Sequence, residues 1–158
     1  LRQSASQFRA LGKRGAIIFR FRLEFKKMIA SKSGSCLCGG VRYEVSGPLR
    51  PVVACHCTQC RKTSGHYVAA TQAPEAKITM HGDTLRWFRS SEQAERGFCG
   101  VCGSNLFWRR FGSDKISIFA GTIDGPTGLR MESQIHSESK GDYYDLPDAP
   151  DIDQSSLS

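Results

Sequence analysis

The chain has 158 residues, with 22 Lys+Arg against 15 Asp+Glu, seven Cys, 39% hydrophobic and 23% charged residues. That length suits a single domain able to bury its own core, and no run approaches the roughly 18 uninterrupted apolar residues that a membrane helix needs. The net charge of +7 is local: residues 1–27 hold eight basic residues against Glu24, while residues 28–158 carry 14 of each sign, so the neutral body argues against nucleic acid as a partner, which would need clustered Lys and Arg.

Residues 1–27 are Arg-rich, nearly acid-free and include Ser4 and Ser6, a composition shared with mitochondrial transit peptides. The chain opens at Leu1 and its first methionine is Met28. The reading adopted is a basic N-terminal extension outside the native domain, of vector or upstream origin; a targeting segment or an added structural element are the alternatives. Phe19, Phe21, Leu23 and Phe25 alternate with Arg20, Arg22 and Glu24, the period of a half-buried edge strand. Residues 28–145 are expected to form one domain. Short runs rich in β-branched and aromatic residues predict strands over Val41 to Val45, Pro51 to Cys55, Tyr67 to Thr71, Lys77 to Met80, Leu85 to Arg89, Leu106 to Arg109, Lys115 to Ala120 and Ser133 to His136. Gly47-Pro48, Gly82-Asp83 and Gly125-Pro126 mark turns, and one short helix is predicted over Thr58 to Ser64. Residues 146–158, acidic and poor in bulky apolar side chains, predict a flexible solvated tail.

The seven cysteines fall into three groups: Cys36 and Cys38; Cys55, Cys57 and Cys60; Cys99 and Cys102. An odd count without a visible secretory signal disfavours a disulfide framework, and a bridge within a C-x-C would strain the S–S geometry. Thiolate-rich sites take zinc or an iron–sulfur cluster, and ferredoxin spacings are absent. Cys99-Gly-Val-Cys102-Gly has the pattern of a zinc knuckle. On a strand, residues i and i+2 share a face, so Cys36 and Cys38 are expected to grip one metal with Leu37 turned into the core, and Cys55 and Cys57 to face a metal with His56 turned away from it. Seven ligands divide as four plus three: a closed structural site and an open one with a position for water or substrate. Spacing leaves the partition open. Cys36, Cys38, Cys99 and Cys102 against Cys55, Cys57 and Cys60 is one solution; Cys36, Cys38, Cys55 and Cys57 against the rest is another.

Three stretches carry a resemblance. Gly34-Ser-Cys-Leu-Cys-Gly-Gly-Val-Arg-Tyr-Glu44, Cys55-His-Cys-Thr-Gln-Cys-Arg-Lys-Thr-Ser-Gly65 and Arg96-Gly-Phe-Cys-Gly-Val-Cys-Gly-Ser-Asn-Leu-Phe107, with Gly121-Thr-Ile-Asp124 and Ser139-Lys140, resemble the glutathione-dependent formaldehyde-activating enzyme (GFA) and centromere protein V family from about Ser33 to Pro150. The resemblance implies an all-β, β-tent-like fold with zinc-knuckle-containing sheets, at most one or two short helices and two zinc ions. It implies Cys36, Cys38, Cys99 and Cys102 as the structural site and Cys55, Cys57 and Cys60 as the open, catalytic-type site. It also implies a carbon–sulfur lyase typified by forming or breaking S-hydroxymethylglutathione. The stretches Gln134-Ile135-His136 and Lys140-Gly141-Asp142-Tyr143-Tyr144 depart from the family's usual C-terminal pattern, which bears on the substrate more than on the fold.

The expected chemistry is a substrate thiol, glutathione or similar, held at the three-Cys zinc beside a small aldehyde. Arg61, Lys62 and Lys140 are candidate contacts to the carboxylates of such a thiol, and His66 or His136 a candidate acid/base. Trp87, Phe88, Phe107 and Trp108 are expected to pack, and Ser104 and Asn105 to serve turn hydrogen bonds. The alternative reading is a binding module with both zinc ions structural. Reduced thiolates holding metal predict a cytoplasmic setting.

Overall fold

The computed structural model describes residues 31–157; the strand predicted around Phe19 to Phe25 lies outside them. Among the described residues ten strands form two sheets. In chain order they are β1 (Lys32–Ser35), β2 (Arg42–Val45), β3 (Val52–Cys55), β4 (Val68–Pro74), β5 (Ile78–His81), β6 (Leu85–Arg89), β7 (Ala94–Cys99), β8 (Asn105–Arg110), β9 (Lys115–Phe119) and β10 (Met131–Ile135), with one helix, α1 (Thr58–Ser64), between β3 and β4. The small sheet runs β1-β2-β5 and the large one β10-β3-β4-β9-β8-β7-β6. Every pairing is antiparallel except β10 on β3. Among the described residues the all-β expectation with at most one or two short helices holds, α1 being joined only by brief 3-10 turns. No helix among the described residues is long and apolar enough to cross a membrane.

The core lies between the sheets. In β2 the strict alternation turns Tyr43 and Val45 inward and Arg42 and Glu44 outward. They meet Leu106 and Phe107 of β8 and Ile116 and Ile118 of β9, all buried. Leu106 and Phe107 are sequence neighbours, yet both face inward. The register of β8 on β7 slips there, Phe107 opposing Gly97 and Asn105 opposing Phe98, so Leu106 is the extra residue of a bulge. Gly97 makes room for the Phe107 ring: a Cβ on it would sit 3.1 Å from both the Phe107 Cβ and the Trp87 ring. Tyr43 meets Phe107 edge-on, with ring centroids 5.1 Å apart. Its hydroxyl donates to Thr122 Oγ1 at 2.8 Å, and that hydroxyl in turn donates to the Phe119 carbonyl at 2.7 Å. Burial of Tyr43 pushes its phenol up to about 12.

Two strands were not predicted. β1 (Lys-Ser-Gly-Ser) has no apolar side chain to signal it, and β7 (Ala-Glu-Arg-Gly-Phe-Cys) hides its inward residues behind an Arg and a Gly. The other eight lie within about three residues of their predicted bounds, and α1 spans the predicted residues. Phe107 and Trp87 pack as expected, whereas Phe88 is 61% exposed. The acidic tail is also not wholly free. Gln134 of β10 takes a backbone bond from Ile152, gives one to Pro150, and its side chain donates to the Ala149 carbonyl at 2.8 Å.

Candidate metal centres and functional site

The first centre joins two turns from different sheets. Cys36 follows β1 and closes a loop in which its amide bonds the Val41 carbonyl at 3.0 Å and the Gly39 amide bonds its own carbonyl at 3.0 Å. Cys99 ends β7 and repeats the device: its amide bonds the Ser104 carbonyl, and the Gly103 amide returns to it, both at 2.9 Å. Gly39 and Gly103 both have φ of 74°, the left-handed conformation that glycine adopts without penalty. Cys36 and Cys38 are therefore knuckle residues and not strand residues, which corrects the orientation of Leu37. It sits at the tip of the turn, 90% exposed, as does Val101 at 72% in the partner knuckle.

The Sγ atoms of Cys36, Cys38, Cys99 and Cys102 lie within 4.8 Å of one another. Cys36 and Cys38 sulfurs are 3.5 Å apart, and Cys38 and Cys99 sulfurs 3.7 Å. These separations are far too long for disulfides, and all seven cysteines are free. They match the roughly 3.8 Å edge of a thiolate tetrahedron with metal–sulfur bonds of about 2.3 Å. Surrounding donors suit thiolates as well. The Val41 amide points at Cys36 Sγ at 3.2 Å, the Thr84 hydroxyl lies 3.4 Å from Cys99 Sγ, and the Ser104 hydroxyl lies 3.2 Å from Cys102 Sγ. Ser104, by its side chain and its amide, brings the Cys102 thiol down to about 5. The same hydroxyl accepts from the Leu37 amide at 3.1 Å and so ties one knuckle to the other.

The second centre is local. Cys55 ends β3, Cys57 caps α1, and Cys60 lies on the buried side of that helix. Their sulfurs also lie within 4.8 Å of one another. Cys57 Sγ accepts the Cys60 amide at 3.5 Å, one of the amides a helix start leaves unpaired. Hydrogen bonds from the Cys55 and Cys60 thiols, then from the Cys60 and Gln59 amides, hold the Cys57 sulfur well below the ordinary thiol range. Cys55, sharing its proton with Cys57 and Cys60 and buried, is pushed up. Without an ion the three sulfurs compete for protons; a divalent cation would satisfy all three as thiolates, so the donor set fits one. Gly65 ends the helix at φ 77°, its amide on the Arg61 carbonyl at 2.8 Å.

The surroundings of this centre were largely unseen in the sequence. His56, predicted to point away from a metal, is fully buried. Its Nε2 meets Gln134 Oε1 at 3.1 Å and its Nδ1 meets the Tyr144 hydroxyl at 3.0 Å. Because the Gln134 amide nitrogen donates to Ala149, its oxygen faces His56. The network thereby assigns the proton to Nε2 and makes Tyr144 the donor to Nδ1. Burial holds this imidazole below its ordinary value. His66, Tyr67 and Tyr144 form an aromatic group around it, His66 lying 4.3 Å from each of the two tyrosine rings. Arg96 of β7, buried, reaches Cys60 Sγ at 3.7 Å. Its only sequence signal is a period-two spacing from Ala94 in a run that did not look like a strand.

The remaining candidates separate. Arg61 and Lys62 occupy the last turn of α1. Lys140 bonds the carbonyls of Gly141 and Tyr144, both at 3.2 Å. His136 lies instead against Gln154 at 3.0 Å and Glu138 at 3.6 Å, in a left-handed backbone conformation. Asn105 does not serve its own turn; its amide donates to the Thr63 carbonyl at 2.9 Å and pins α1 to β8. Trp108 packs on the apolar group that contains Cys60, Val68 and Phe119.

A family profile described as glutathione-dependent formaldehyde-activating enzyme matches residues 31–139, a span that includes both sulfur clusters. The chain belongs to this GFA family. A Halomonas elongata relative, provisionally named a glutathione-dependent formaldehyde-activating enzyme, is 31% identical over 126 residues, covering 72% of this chain and 79% of its own. A Schizosaccharomyces pombe protein named an uncharacterized lyase is 26% identical over 114 residues, covering 72% of this chain and 83% of its own. A crystal structure of a Rhodobacter sphaeroides protein shares the fold, with a TM-score of 0.51, 22% identity, and coverage of 60% of this chain and 89% of that one.

Proposed function

We propose that this GFA-family chain is a zinc-dependent carbon–sulfur lyase that adds a small-molecule thiol, glutathione or a close analogue, to a small aldehyde and releases it in reverse. The observation that carries the reading is the division of seven sulfurs into a four-set and a three-set. Four thiolates, from Cys36, Cys38, Cys99 and Cys102, complete a tetrahedron and hold a structural zinc. Three, from Cys55, Cys57 and Cys60, leave a position free. Zinc bound there supplies a Lewis-acidic place for a fourth sulfur in its thiolate form.

The residues of the chain then have defined tasks. Cys55, Cys57 and Cys60 aim three sulfurs at one point from a strand end and a helix start. The Cys60 amide donates to the Cys57 sulfur and helps to orient it. Arg61 and Lys62 offer cationic ends on the same helix for the carboxylates of the thiol substrate. Lys140 can join them only by leaving the carbonyls that hold it. In the forward direction the sulfur–carbon bond forms, the carbonyl π bond breaks, and the thiol proton ends on the new hydroxyl. The exposed His66, beside Tyr67 and Tyr144, is the imidazole of this neighbourhood placed to carry that proton.

Native mass spectrometry with and without glutathione tests the proposal, together with a nuclear magnetic resonance assay of glutathione with formaldehyde. The expected result is two zinc ions, a glutathione adduct, and accelerated exchange of the S-hydroxymethyl group, with adduct and acceleration both lost in Cys57→Ser. Two tightly held zinc ions with neither adduct nor acceleration would instead make both centres structural and the chain a zinc-stabilised binding module.

A further inference from the structure

Arg96 carries a full charge at 5% exposure. Burying a guanidinium is costly unless a negative group lies against it. No carboxylate does so: the three ion pairs among the described residues are made by Arg109 and His136. One terminal nitrogen of Arg96 makes two contacts, to the Gln59 side-chain oxygen at 3.2 Å and to Cys60 Sγ at 3.7 Å. Nε has no hydrogen-bond partner among the described residues. Phe88 and Trp108 are its neighbours on the flanking strands. The anionic group that this charge meets is therefore the sulfur of the three-Cys cluster. Gln59 fixes the approach, since its amide nitrogen is itself anchored to the Ser90 carbonyl at 3.2 Å.

We propose that Arg96 is a positioning residue whose charge serves as the built-in counter-ion of the three-Cys centre, and that it selects for thiols that arrive as thiolates. The inference rests on the thiol-binding reading above. Three thiolates on a divalent ion leave one negative charge, and a fourth thiolate would leave two. The guanidinium beside Cys60 restores the total to one at the step where repulsion is greatest. It also fixes the Cys60 sulfur in place, as partners beyond the direct ligands do in metal sites.

The test compares the parent with Arg96→Gln, which removes the charge, and Arg96→Lys, which keeps it. Zinc affinity is read by competition with a chromophoric chelator. The four-Cys centre is the internal reference, because Cys99 ends the same strand. Arg96→Gln is expected to weaken the three-Cys zinc about 10- to 100-fold and to abolish the glutathione adduct, with the four-Cys zinc unchanged; Arg96→Lys should recover most of both. An Arg96→Gln protein with parental zinc affinity and adduct would overturn the proposal, as would an Arg96→Lys loss as large as that of Arg96→Gln. Should Arg96→Gln fail to fold, Gln59→Leu, an exposed change that unhooks the guanidinium, must weaken the three-Cys zinc selectively; unchanged affinity there also overturns it. A charge effect on zinc without any carbon–sulfur chemistry would sink only the lyase reading, activity indifferent to Arg96 would sink only the counter-ion, and a parent holding one zinc would sink both.

Discussion

The two sulfur centres use similar donors for opposite ends. The four-Cys centre draws from two knuckles more than sixty residues apart in the chain and belonging to different sheets, and two of its cysteines are nearly inaccessible. The three-Cys centre draws from one strand end and one helix start within six residues. Tying distant segments constrains the unfolded chain strongly, whereas a local clip constrains it little. An ion in the first place would hold distant parts of the fold together; an ion in the second would come and go at small structural cost. Separation along the chain thus points the same way as ligand number: under the proposed function the distant four-set is the staple and the local three-set the working site.

The sharpest way to break that contrast is Cys99→Ser. Losing a ligand of the staple should cost on the order of 5 kcal/mol or more, comparable to a domain's whole net stability. The variant is expected to be largely unfolded by circular dichroism, and a cooperative transition near the parental temperature would show that the four-Cys centre is no staple. Next in size is Gly34→Ala in β1, beside the first knuckle. The added methyl would collide with the Tyr43 ring and the Thr122 carbonyl. An overpacking loss of about 3 kcal/mol is expected, read as a shifted denaturant midpoint with the three-Cys zinc still bound.

The same tyrosine gives a pH test. Its phenol is raised to about 12 in the fold from an ordinary value of about 10. The folded state therefore holds the proton more tightly than the unfolded chain. This contribution is complete below pH 10 and declines as the pH climbs towards 12, by roughly 2 kcal/mol. Tyr43→Phe should flatten that part of the stability profile, and an unchanged slope would mean that some other group titrates there. The smallest expected stability change is that of Cys57→Ser, about 1 kcal/mol or less, yet it should remove one zinc ion and the whole thiol adduct. A melting temperature as depressed as that of Cys99→Ser would erase the distinction between the centres.

The sequence carried these features unevenly. Cysteine clustering pointed to metal while spacing left the partition into two centres open, and α1 spans the residues predicted to be helical after Cys57. Eight strands betrayed themselves through β-branched and aromatic residues. β1 and β7 did not, because a strand that spends its residues on Ser, Gly and Arg has no hydrophobic period to read. Leu37 misled for a related reason: a C-x-C on a strand and a C-x-C in a knuckle are spelled alike, and only backbone hydrogen bonds to Val41 and from Gly39 distinguish them. The contacts of His56 with Tyr144, 88 residues away, and of Arg96 with Cys60, 36 residues away, follow from sheet order and bulge placement. Single-sequence patterning contains neither.

The knuckle at Cys99 and Cys102 has a further consequence during synthesis. A chain growing from its N terminus has made five of its seven cysteines once Cys60 is added, and the second knuckle does not yet exist. At that stage Cys36 and Cys38 have only Cys55, Cys57 and Cys60 as companions, so a single ion captured early can draw ligands from both future centres. The correct division becomes available only when β7 is complete and the late pair arrives to claim the early one. Metal arriving after translation of Cys102 should therefore load the nascent protein more faithfully than metal present throughout, a matter of timing imposed by the order in which the ligands are made.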